Sequence, residues 1–507
     1  MKSFLSRARH SLAALSLLAA TASFAQPALN LSDRAMLRQV LQAMPKGGDL
    51  HNHLSGSVYA ESYIQYAAAD GLCVDSTKLV ITQCATPEQL AANPSLAATI
   101  VPASTLLAPY SSLYGTMLDA LSMRQFRPTL ESGHDHFFNT FGKFSAVSKT
   151  HVPEMLTEDV WRLASENVDY VETIWAPDFG RARELLKSVR PEESLADMRA
   201  AMMQSGQVPP IVVASRAAID SAEARMRVDL HCGRPAAQPG CDSTVRYLYE
   251  LHRGVPIQQF FAELVVGYEL ATADPRVVGL NPVMPEDSYV SMHDFDEQMK
   301  MFAFFHQLYP KIHLTTHAGE LVPGIVQPEG LRRHIRDSVM IAGAERIGHG
   351  VDLTYEDDPS GLMKTMATRG VAVEICLTSN DVILGVSGKA HPLRLYLAAG
   401  VPVALATDDP GVSRDDMTNQ YMRAVQDQSL DYPTLKRLAR NSLEYSFAEG
   451  ESLWVGHKYD TFAAPCASEH AGAKPADRCA AFLAANTKAR IEWRLEQRLR
   501  DFEASWK

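Results

Sequence analysis

Eight short runs dense in branched aliphatic residues recur along this chain, and stretches of helical spacing separate them. They read "GGDLHNHL" (47–54), "VDYVETIW" (168–175), "PPIVVASR" (209–216), "RVVGLNPV" (276–283), "KIHLTTHAG" (311–319), "ERIGHG" (345–350), "GVAVEICL" (370–377) and "GVPVALATDD" (400–409). Several are apolar without interruption, the pattern of parallel strands covered on both faces. Between them lie helix-like segments such as "FDEQMKMFAFFHQLY" and "PLRLYLAAG", and "EQLAANPSLAATI" (88–100), broken by its Pro94. This alternation predicts an α/β fold, a (β/α)8 TIM-type barrel. An open doubly wound sheet would carry a Gly-rich phosphate loop after its first strand, and "HLSGS" is no G-x-G-x-x-G.

A barrel of this kind places its chemistry at the C-terminal ends of its strands. His51, His53, His317, Glu320, His349, Asp408 and Asp409 each fall at or just past the end of a predicted strand. His51 and His53 are an i, i+2 pair, so strand alternation points both rings to one face. Alone, such a pair suits solvent or a hydrogen bond as well as a metal. With His317 of "THAGE" (316–320) and Asp408 of "ATDDP" (406–410), it becomes a nitrogen–oxygen donor set for a single divalent ion, most plausibly Zn2+. An ion held that way lowers the pKa of a bound water to about 7. His349, between glycines in "GHG" (348–350), is placed to accept or steer that water's proton. Glu320, just beyond His317, can reach a substrate atom beside the metal without ligating it.

The ends and insertions read differently. Residues 1–25 carry Lys2, Arg7 and Arg9, then a short apolar run, then Ser23-Phe24-Ala25 ahead of Gln26. That three-part layout predicts a signal peptide cleaved after Ala25, hence an exported protein, periplasmic or secreted. Residues 26–507 are read as one barrel domain, with a helical insertion at about 55–167 and a C-terminal helical extension at about 451–507. Within the insertion, "GHDHFFNTFGKFSAV" is aromatic on a helical period, the pattern of a face packed on the barrel that can also wall a pocket. Six of seven cysteines form close pairs, Cys73 with Cys84, Cys232 with Cys241 and Cys466 with Cys479, and the shortest-loop pairing makes three loop disulfides in an oxidising compartment. Cys376, in an apolar run, is read as a buried free thiol. The net charge of −11, more negative still without the leader, argues against a nucleic-acid partner. No later run is apolar for long enough to span a bilayer.

"LHNHLSGS", "HAGE", "RIGHGVDL" and "TDDPGV", in this order, resemble the adenosine deaminase family of the amidohydrolase superfamily. The export signal and loop disulfides are similar to its growth-factor-related branch. The resemblance implies hydrolytic deamination of a purine nucleoside, adenosine and 2′-deoxyadenosine foremost, to the 6-oxo purine and ammonia. On it, His51, His53, His317 and Asp408 hold one zinc per chain. Glu320 gives a proton to ring N1, His349 handles the attacking water, and Asp409 hydrogen-bonds that oxygen or ring N7. Two positions depart from the family pattern: Ser55 stands where an acidic residue contacts the ribose 5′-hydroxyl, and Met284 where a glycine N–H approaches purine N3. These leave open a deaminase of adenine or of a modified adenine nucleoside, and a non-catalytic nucleoside-binding relative. A two-metal hydrolase would need a lysine after the fourth strand, where "NPVMPED" stands. The other zinc deaminase fold needs P-C-x-x-C, and a zincin needs H-E-x-x-H; neither occurs.

Overall fold

The computed structural model describes residues 33–190, 194–469 and 474–505. The expected signal peptide, residues 1–25, lies outside them.

Eight parallel strands run in sequence order around one sheet: β1 (Gly47–His53), β2 (Val168–Trp175), β3 (Thr244–His252), β4 (Val277–Val283), β5 (His313–Ala318), β6 (Arg346–His349), β7 (Ala372–Ile375) and β8 (Val403–Leu405). Each pairs with its chain neighbour, for example Glu172 with Arg246 and His317 with Gly348. The ring closes between β1 and the end of β8, where Asp408 N–H donates to the His51 carbonyl (2.8 Å) and His53 N–H to the Asp408 carbonyl (2.9 Å). This is the expected (β/α)8 barrel.

One strand differs from the sequence reading. Residues 209–216 lie in a 22-residue helix, Val208–Asp229, and the third strand is Thr244–His252. The helix buries Val208, Ile211, Val212, Ser215, Ile219, Ala222 and Met226, a 3–4 residue stripe. Its Pro209 and Pro210 sit in the first turn, where the missing N–H groups have no intrahelical acceptor to serve. The short run Ile211-Val212-Val213 fits a strand or a buried helix equally well, and the stripe that decides between them extends well past residue 216. In β3, Val245, Tyr247, Tyr249 and Leu251 face the helical layer, while Leu248 joins the inner cluster of Ile174, Val278, Val283 and Phe447.

The barrel interior also holds an ion network. Arg346 (1% exposed) donates to Glu172 (2.5 Å) and Glu374 (2.6 Å), and its guanidinium lies 3.6 Å from the Phe447 ring centre. The insertion after β1 contains a three-stranded antiparallel sheet (Cys73–Asp75, Val80–Thr82, Ile100–Pro102) and the helix Gly133–Ser148. Helices Pro87–Ala92 and Leu96–Thr99 are separated at Asn93–Pro94, as the proline requires. The C-terminal helix Thr487–Ser505 lies outside the barrel, buried against Leu50, Tyr170 and Ala404 through Trp493, Leu495 and Leu499. The three disulfides are Cys73–Cys84, Cys232–Cys241 and Cys466–Cys479, and Cys376 is a buried free thiol. Among the described residues, no helix is long and apolar enough to cross a membrane.

Candidate active site

A cavity of about 510 Å³ opens over the C-terminal ends of the strands, with His53, His317, Glu320, His349, Asp408 and Asp409 in its lining. The alternation of β1 carries both His51 and His53 inward, and the closing bonds between β1 and β8 bring Asp408 beside them.

Four donor atoms converge. His51 Nε2 and His317 Nε2 are 3.0 Å apart, His53 Nε2 and His317 Nε2 3.2 Å. Asp408 Oδ1 lies 3.4 Å from His51 Nε2 and 3.2 Å from His53 Nε2. A tetrahedral zinc with arms of about 2.0–2.2 Å spaces its ligand atoms about 3.3–3.6 Å apart, close to the separations here, so the set fits one such ion. The outer partners fix the rings for it. His317 Nδ1 faces Asn281 Oδ1 at 2.7 Å, and an amide oxygen only accepts, so the proton sits on Nδ1 and the Nε2 lone pair faces the centre. His51 Nδ1 meets Glu374 Oε2 at 2.7 Å, and Glu374 is itself held by Thr315 (2.9 Å) and Arg346 (2.6 Å). Against burial, hydrogen bonds donated to Asp408 and Glu374 raise the His51 pKa to about 10, and a divalent cation answers the same pull for positive charge. Burial and the charges of His51 and His53 drive His317 well below the usual imidazole value, leaving it a neutral donor. Gly348 makes room for this arrangement: a Cβ there would stand 2.6 Å from His51 Cε1.

Glu320 is 6% exposed, and burial together with the Asp408 charge raises its pKa well above the usual carboxylate value. Its backbone N–H is anchored on Glu286 Oε2 (2.9 Å), and its Oε1 lies 3.7 Å from His349 Nδ1. Asp409 is likewise raised by burial and Asp408, and its Oδ1 is buried without a partner. Gly56 yields the space that this oxygen occupies, since a Cβ there would sit 1.5 Å from it.

A relay sets the His349 tautomer. Leu393 N–H donates to His391 Nδ1 (3.2 Å), so His391 Nε2–H donates to Asn380 Oδ1 (3.0 Å). The Asn380 amide, assigned by that neighbour, then donates to His349 Nδ1 (2.9 Å). The His349 proton therefore sits on Nε2, a buried nitrogen with no protein partner, on a ring that lines the cavity. Burial lowers its pKa to about 3. With the proton on Nε2, the ring presents a hydrogen-bond donor to the site.

Ser55 and Met284 both line the cavity. Met284 adopts φ +82°, a glycine-type conformation, and His349 (+67°) and Asp408 (+63°) share the left-handed region, so three strained non-glycine residues border one site. The aromatic helix Gly133–Ser148 serves both roles weighed for it: Phe137 and Phe144 are buried in the core, and with Phe138 and Phe141 they wall the cavity. Sequence reasoning missed Glu374, Asn281, Asn380, Glu286 and Arg253. Arg253 donates to the carbonyls of Met284 and His317, both at 2.9 Å, tying β4 to β5. A polar residue inside an apolar run, such as Asn281 in "VVGLNPV" or Glu374 in "GVAVEICL", was the available signal.

A family model described as adenosine deaminase matches residues 131–453. The chain belongs to the adenosine deaminase family. The matched span holds "THAGE", "GHG" and "ATDDP", whereas His51 and His53 precede it and are joined to the site by the fold. In sequence the chain is similar to the adenosine deaminase of Clostridium kluyveri (29% identical over 188 residues, 37% of this chain and 51% of the relative). It is also similar to that of Escherichia coli SMS-3-5 (37% identical over 140 residues, 27% of this chain and 39% of the relative). The matches thus span about half or less of the length of these curated relatives. Among solved structures, the adenine deaminase of Arthrobacter aurescens shares the fold (TM-score 0.50, 18% identity, covering 80% of this chain and 94% of that one). So does the Arabidopsis N6-mAMP deaminase (TM-score 0.50, 20% identity, covering 81% and 96%).

Proposed function

We propose that this member of the adenosine deaminase family is a zinc-dependent hydrolase that converts adenosine, and 2′-deoxyadenosine, to the 6-oxo nucleoside and ammonia. The observation that carries the reading is a buried carboxyl, Glu320, lining the same cavity as a three-histidine, one-aspartate donor set, with burial raising its pKa. A zinc ion held by His51, His53, His317 and Asp408 supplies a Lewis acid that lets water act as a nucleophile near neutral pH. The chain's own groups do the rest. The Glu320 carboxyl gives its proton to ring N1, which breaks the aromaticity of the six-membered ring and opens C6 to attack; the carboxylate left behind takes up a proton as the water adds, while the water's other proton leaves with the amine as ammonia. His349 Nε2–H donates to the attacking oxygen and holds it over C6. The raised Asp409 carboxyl shares a hydrogen bond with that oxygen or with ring N7. The phenylalanine wall keeps bulk water from the purine face.

Three loop disulfides support an oxidising compartment, and with the leader at residues 1–25 we place the protein in the periplasm or outside the cell, akin to the growth-factor-related branch. Ser55, in place of an acidic sugar contact, and the Met284 side chain, in place of a glycine, favour, as a second reading, a deaminase of adenine or a modified adenine nucleoside. The test is ammonia release from adenosine, 2′-deoxyadenosine, adenine and AMP, with metal content measured on the same sample. Adenosine as the best substrate with about one zinc per chain is the expected result. Metal-free protein that releases no ammonia from any aminopurine refutes both readings.

A further inference from the structure

The relocated third strand brings an unassigned pair of side chains to the cavity. Glu250 and His252 are i, i+2 on β3, so both side chains project to one face at its C-terminal end, as His51 and His53 do on β1, and both line the cavity. In an eight-strand ring β3 stands opposite β7, away from β1 and β8, which supply His51, His53 and Asp408. The His252 ring is oriented from behind: Glu263 Oε2 accepts from the His252 N–H (2.7 Å) and from Nδ1 (3.3 Å), and Gln259 donates to Glu263 Oε1 (3.0 Å). Nε2 is thereby turned to the Glu250 side, 3.6 Å from Oε1. Against burial, the Glu263 hydrogen bond and the Glu250 charge raise the His252 pKa to about 9, which leaves the ring a donor.

Elsewhere the cavity lining is largely apolar, apart from the catalytic groups, the hydroxyls of Ser55 and Ser148, and Lys149. Phe137, Phe138, Phe141, Phe144 and Val283 form no hydrogen bonds through their side chains, and Lys149 is exposed at the rim. We infer that Glu250 and His252 form the subsite for the hydroxylated part of the substrate, the sugar of a neutral nucleoside, with Glu250 accepting from hydroxyls and His252 donating. This rests on the deaminase reading above and narrows it. Among the described residues no arginine or lysine binds the Glu250 carboxylate, which leaves its oxygens to accept from sugar hydroxyls beside the His252 donor.

The test compares ligands with and without the sugar. Inosine and hypoxanthine affinities are measured by calorimetry on zinc-loaded wild type, Glu250→Gln and Glu250→Ala, beside KM and kcat for adenosine and adenine. Loss of a charge-assisted hydrogen bond lowers the preference for inosine over hypoxanthine about 10- to 100-fold in Glu250→Ala. The loss appears in the adenosine KM rather than in kcat. Glu250→Gln, which keeps an acceptor oxygen without the charge, loses less of that preference than Glu250→Ala. A packing defect would weaken both ligands together, so an unmoved inosine-to-hypoxanthine ratio overturns the subsite. A wild type that deaminates nothing yet binds inosine through Glu250 refutes the deaminase reading and upholds the subsite; a protein that binds neither ligand refutes both.

Discussion

Gly348→Ala isolates one contact on which the donor set depends. Gly348 has no left-handed backbone to lose, so alanine is tolerated by the chain itself. The added Cβ would stand 2.6 Å from His51 Cε1 and 2.8 Å from Nδ1, where ordinary contact begins at 3.4 Å. The imidazole must retreat by about 0.8 Å to restore van der Waals distance. It has nowhere neutral to go, being pinned by Glu374 at 2.7 Å and facing His317 at 3.0 Å. Metal–ligand distances tolerate only about 0.2 Å. We expect an overpacking cost of about 1–3 kcal/mol and a loss of zinc affinity of about 10- to 100-fold. Competition with a chromophoric chelator reads the affinity, and the gain in melting temperature on adding zinc should shrink in step. Gly324→Ala, at a position with nothing within 4 Å, serves as the control. If Gly348→Ala binds zinc within twofold of wild type, His51 does not hold the ion in this geometry.

Glu320→Gln keeps the hydrogen-bonding shape but has no acid to give, so kcat should fall about 10²- to 10⁴-fold with zinc content intact; turnover near wild type would reject the proton-donor role. Arg346→Met leaves Glu172 and Glu374 buried without their cation and should cost about 3–5 kcal/mol in urea unfolding, whereas a cost under about 1 kcal/mol would show the network to be dispensable. His134 ties the aromatic helix to the loop after β4 through Asp287 (2.9 Å), beside Asp135 (3.0 Å). These two carboxylates outweigh burial and raise its pKa to about 9, against about 6.5 unfolded. A raised histidine stabilises fully below the unfolded value and loses that contribution as pH climbs through the folded one. The stability gap between wild type and His134→Gln should therefore be larger at pH 6 than above pH 9, and a gap independent of pH would contradict the clamp.

Alternation along a strand is local, so the shared face of His51 and His53 was legible from two positions in the chain. Local too were the three disulfides, each closing a loop of 9 to 13 residues, and the helix break at Pro94. The strand–helix rhythm was enough for the barrel, because parallel neighbours in sequence order need only short crossovers. Three short apolar residues could not say whether 209–216 was strand or helix. The stripe continuing to Met226 and the helices packed against it decided that, and only then did Glu250 and His252 acquire a site. The partners that give the ligands their protonation are further still from anything local. Glu374 meets His51 across 323 residues, and Asn281 and Asn380 reach His317 and His349 from other strands or helices. Residue types at strand ends announce which atoms are available. Which nitrogen carries a proton, and which carboxyl keeps one, depends on burial and on neighbours that the chain delivers only by closing the ring.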